Sequence, residues 1–88
     1  MLYLLTFKGG PSGSSKSRID DRWPAESDLQ VQVSEDALIV DAEQDSAQAV
    51  YDYLLGPASG GDILIATFQD HYVLPGGNVA QWLSRHGT

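Results

Sequence analysis

Residues 28–42 read DLQVQVSEDALIVDA, and this stretch constrains the fold more than any other. Leu29, Val31 and Val33 alternate with Asp28, Gln30 and Gln32. That is the period-two pattern of a strand with one buried and one wet face. Ser34-Glu35-Asp36-Ala37 supplies a turn, and ALIVDA returns as the second arm of a hairpin.

The remaining segments arrange themselves around that hairpin. Met1 to Phe7 is a near-continuous apolar run and reads as a buried strand. Residues 8–27, rich in glycine, serine and proline, are expected to form a long flexible polar loop. Asp45 or Ser46 then caps a helix, with Gln48 placed as in a capping box. Ala47, Val50, Tyr51 and Leu54 form its apolar stripe, and Gly56-Pro57 stops it. GPASGG is a loop, DILIATF a strand, QD a turn and HYVL a further strand. Asn78 caps a last short helix that turns Val79, Trp82 and Leu83 inward, with Gly87 just beyond. The order β-loop-β-β-α-β-β-α predicts one small α+β domain over 1–88. Its antiparallel or mixed sheet has four to five strands, with two helices on one face.

Composition narrows the functional classes. Eighty-eight residues leave no room for a separate binding module. The chain has no cysteine, so disulfides, thiol chemistry and cysteine-held zinc are excluded. The N-terminal apolar run is too short for a membrane span, which takes about 20 residues, and the expectation is a cytoplasmic protein. Net charge is −7, and it is unevenly placed. Between Arg22 and Arg85 lie 62 residues without lysine or arginine, and they carry ten acids. Such a chain lacks the clustered cations that bind duplex nucleic acid or anionic membranes, and suits a basic partner instead.

Several motifs invite a chemistry. Gly10 to Ser17, GPSGSSKS, is one residue from the phosphate-binding loop G-x-x-x-x-G-K-[ST]. In the sequence three requirements are unmet. Ser15 replaces the glycine before the lysine, no apolar stripe marks a helix after it, and the chain is short for a parallel α/β domain. His71 follows Asp70, but no nucleophile elbow accompanies it. His86 ends a helix, where its charged form suits the dipole. DAEQD lacks the spacing and the glycine of a calcium loop. No catalytic, cofactor or metal residue is assigned, and the chain is expected not to be an enzyme.

The acids are the stronger lead. In extended chain Asp41, Glu43 and Asp45 point the same way, about 6.8 Å apart, near the spacing of phosphates along one nucleic-acid strand. Glu35 and Asp36 at the preceding turn, and Asp52 on the outer helix face, extend the same surface. Trp23, beside Arg18 and Arg22, is either a binding anchor or a core residue folded back from the loop. The first expectation is a non-enzymatic protein that presents Glu35, Asp36, Asp41, Glu43, Asp52 and Trp23 to a basic protein surface. A cationic nucleic-acid-binding groove is the expected target. In size and charge the chain is similar in general character to small inhibitors from phages and mobile elements, such as anti-CRISPR proteins and other DNA mimics. No family motif carries that likeness. The alternative is an assembly module that pairs through a sheet edge, Leu2 to Phe7 or the ALIV arm, with another copy or a host protein. A third is a nucleotide-binding protein using the Gly10–Ser17 loop.

Overall fold

The computed structural model describes residues 1–11, 13–55, 63–68 and 71–87. Strand β1 (Leu2–Phe7) is followed by helix α1 (Gly13–Arg22), a 3-10 turn (Ala25–Ser27) and the hairpin β2 (Gln30–Ser34) and β3 (Ala37–Asp41). Helix α2 (Ala47–Leu55), strand β4 (Ile63–Ala66) and helix α3 (Asn78–Arg85) complete the elements of the described residues. The class is α+β, and the sheet is wholly antiparallel with four strands in the order β2-β3-β1-β4. Up to β4 this is the connectivity of two interleaved split βαβ units.

β1 alternates strictly. Tyr3, Leu5 and Phe7 are buried on one face, while Leu2 and Leu4 pack on the other. In β3 the consecutive residues Leu38, Ile39 and Val40 are all buried. Consecutive burial in a strand requires cover on both faces. Helices α1 and α2 supply it on the first, where Ile19, Trp23, Val50 and Leu54 meet Tyr3, Leu5, Phe7, Leu38 and Val40. Helix α3 supplies it on the second, where Trp82 and Leu83 meet Val31 and Ile39. The expectation of two helices on one face is therefore corrected: among the described residues three helices divide two against one.

The loop expected over 8–27 is corrected as well, since α1 occupies half of it. Ile19 is fully buried, and Trp23 one turn later is 2% exposed, its amide donating to the Ile19 carbonyl at 2.8 Å. Lys16 and Asp20 add an i, i+4 ion pair at 2.8 Å. Two anchors one turn apart hold this helix where a longer stripe is usual. Gly9 and Gly10 both take positive φ in the turn before it, a conformation that a side chain would strain.

The strand expected at HYVL is not formed. Residues 71–74 run without regular structure: Val73 packs beneath α3 while Tyr72 and Leu74 are exposed. The alternation was real but was satisfied by anchoring one side chain, not by a ladder. The loop expected at GPASGG and the turn at QD lie outside the described residues. The strand order also reverses the proposed pairing edges. Among the described residues β1 and β3 are the two central strands, and the edges are β2 and β4.

Candidate functional site

The six acids singled out in the sequence do not form one surface. Glu35 and Asp36 are exposed in the β2–β3 turn, beside the C-terminal end of β1, where the Phe7 amide donates to the Asp36 carbonyl at 2.8 Å. Asp41 ends β3 at the opposite end of the sheet, opposite Leu2. Five residues of strand separate the two groups by about 17 Å. The regular spacing of Asp41, Glu43 and Asp45 is not realised either, because the strand stops at Asp41 and the chain turns into α2. The cap of that helix is Ser46, whose Oγ accepts from the Ala49 amide at 3.1 Å. Asp45 is thereby left exposed, as are Glu43 and Asp52. Asp52 accepts from Gln48 Nε2 at 3.1 Å on the outer surface of α2.

Trp23 is a core residue, packed edge-on against Tyr53 at 5.6 Å between ring centres. It is corrected from the set of partner-binding residues, because a side chain 2% exposed offers a partner no surface. Nearby, Arg22 donates through Nε to the Tyr53 carbonyl at 3.0 Å and lies over the Tyr53 ring. A hollow of about 190 Å³ is lined by Arg22, Trp23, Leu29, Asp41, Glu43, Gln44 and Tyr53. It mixes a cation with two acids.

Asp41 belongs to a structural cluster that the sequence reading missed. Its Oδ2 lies 2.5 Å from His86 Nδ1, and its Oδ1 3.4 Å from the Met1 ammonium. His86 stacks on Trp82 with ring centres 3.9 Å apart. Its Nε2 faces Asp28 Oδ2 at 3.4 Å, without the geometry of a hydrogen bond. The Asp28 carboxylate forks with Arg85 at 2.8 and 2.9 Å, and its carbonyl accepts from Trp82 Nε1 at 3.0 Å. Asp28 holds a left-handed φ of 61°, the one non-glycine among the described residues to do so. The Arg85 guanidinium keeps the Asp28 carboxyl below its ordinary range. Asp28, Asp41, Trp82, Arg85 and His86 thus tie α3 to the sheet. The one signal available in the sequence was Arg85-His86, the first cation after a long acidic span, set directly behind Trp82.

That cluster does not read as a catalytic or metal site. His86 meets its two carboxylates through opposite ring nitrogens, so the three do not converge on one point. Among the described residues no group of three histidines or acids is placed to hold a metal ion. His71 is exposed and meets Phe68 edge-on at 5.1 Å.

The phosphate-loop lookalike gains a helix that the sequence reading denied it, since Gly13–Ser17 opens α1. The lysine is nevertheless engaged elsewhere. Lys16 Nζ contacts Asp20 Oδ1 at 2.8 Å and Gln30 Oε1 at 3.4 Å, and so points along the helix toward β2. The sheet behind it is antiparallel, not the parallel one that carries this loop. Among the described residues no helix is long and apolar enough to cross a membrane.

The chain matches no family model, no curated protein and no solved structure.

Proposed function

We propose that the chain is a small non-enzymatic binding protein that docks on a basic protein surface through the corner where β3 passes into α2. Glu43 and Asp45 before α2, and Asp52 on its outer face, supply the charge. The observation that carries this reading is the exposure of these three acids in a span of 62 residues without a lysine or arginine. Asp41 is left out of the contact set, because it serves His86 and the N-terminus. Glu35 and Asp36, at the far end of the sheet, would form a second and separate contact. Within the class of basic partners, a nucleic-acid-binding groove is the finer proposal.

Affinity purification from host lysate at low salt, eluted with a salt gradient, tests the idea. Replacing Glu43, Asp45 and Asp52 with lysine should release the partner at lower salt while the melting temperature holds. Release by competing DNA or RNA supports the groove. Retention of the partner by the triple variant, at unchanged salt, sinks the acidic-corner reading.

A further inference from the structure

The two edges of the sheet are unlike one another. On β2 the register slips between Gln32 and Ser34. Gln32 Nε2 turns back onto the Ser34 and Ala37 carbonyls, and Gln30 is tied to Asp20, Lys16 and Trp23. A bulged edge with bound polar side chains resists pairing with another strand. β4 carries none of these guards. It reads Ile-Leu-Ile-Ala, has no bulge against β1, and among the described residues no strand pairs with its outer side. From Ile63 to Gln69 the sequence has no charge and no proline. Leu64 stands 63% exposed on this open strand.

We propose that β4 pairs antiparallel with β4 of a second copy, joining two sheets of four strands into one of eight. A second copy fits because the strand is apolar and uncharged. In a protein of net charge −7, it offers two like-charged molecules a contact that brings no acid side chain of the strand face to face. Symmetry fixes the register. A two-fold axis normal to the sheet keeps each face on its own side, so only residues of equal parity oppose each other. Leu64 shares the α3 face with its neighbour Thr6, whereas Ile63 and Ile65 pack toward the α1–α2 core. Setting Leu64 opposite its own copy therefore buries the two exposed leucines against each other and leaves both cores untouched.

Sedimentation equilibrium tests this across protein concentrations from about 10 μM to 1 mM, where a small interface of this kind associates. Salt at about 0.5 M screens the net charge. The expected mass rises from the 9.5 kDa of one chain toward twice that value. Leu64→Lys should hold the mass at one chain with an unchanged melting temperature, and Gln32→Lys on the opposite edge should still associate. The absence of cysteine gives a second readout: Leu64→Cys should cross-link to itself under mild oxidation, and Gln32→Cys should not. A wild-type chain that stays at 9.5 kDa throughout overturns the proposal. So does a Leu64→Lys variant that associates like the wild type.

Discussion

His86 Nδ1 and Asp41 Oδ2 stand 2.5 Å apart, joining the end of α3 to the end of the central strand β3. The imidazole is 13% exposed and lies flat on Trp82, so one side chain serves a polar contact and a stacked one together. This relationship changes how the acidic chain is read. Asp41, which looked in sequence like surface charge, is part of what holds the second layer of the fold.

Removing that imidazole should therefore cost stability. His86→Ala loses the stack and leaves Asp41 with one polar partner fewer, a loss of about 1–2 kcal/mol. For a chain of this length that lowers the melting temperature by roughly 4–16 °C. His86→Phe retains the ring on Trp82 and should recover part of the loss. Thermal melts of the three proteins give the answer, and a His86→Ala variant that melts with the wild type removes His86 from any structural role.

The Asp28–Arg85 fork sets an acid limb to stability. Arg85 lowers the Asp28 carboxyl in the folded state, so the folded chain binds fewer protons there than the unfolded one. That contribution is present above the unfolded carboxyl value, about 3.9, and is lost as pH falls through the lower folded value. Asp20, lowered by Lys16, adds to the same limb. Arg85→Ala should flatten the fall in urea midpoint between pH 5 and pH 2. Parallel curves for variant and wild type would mean that the fork is formed in neither state or in both.

Tyr3 works at the other extreme of pH. Its ring is fully buried in the core and its hydroxyl donates to the Gln44 carbonyl at 2.7 Å. Burial, with the charge of Asp45 beside it, raises this phenol above its ordinary value of 10. The folded state thus holds the proton more tightly than the unfolded state. The contribution is complete below about pH 10 and is lost as pH rises through the folded value. Tyr3→Phe should be about 1 kcal/mol less stable at pH 8, for the lost hydrogen bond, yet fall less steeply above pH 10. Urea midpoints at pH 8, 9.5 and 11 compare the slopes, and equal slopes would count against this account.

What the sequence made legible follows from periodicity. The β2–β3 hairpin, β1, α2 and the inward face of α3 were each written in local alternation or a helical stripe. Helix α1 was not, because its apolar anchors are Ile19 and Trp23 and its polar contacts, such as Arg22 with Tyr53, lie across the fold. The placing of α3 was legible in principle: three consecutive apolar residues, Leu38 to Val40, demand cover on both faces. The site was the least readable part. Whether Asp41 is free or engaged depends on His86, 45 residues away, and no local pattern reports a contact at that range.

The strand order bears on how the chain finds its structure. β2 and β3 pair across a two-residue turn, but β1, first in sequence, lies between partners met much later. Leu5 sits opposite Leu38 and Ile65, 33 and 60 positions along the chain. Each of those ladders closes a long loop before any contact repays the lost entropy. Among the described strands the β2–β3 hairpin closes the shortest loop. For a protein so short, folding is then paced by distant encounters and belongs on the slower scale of non-local topologies, not with small helical bundles.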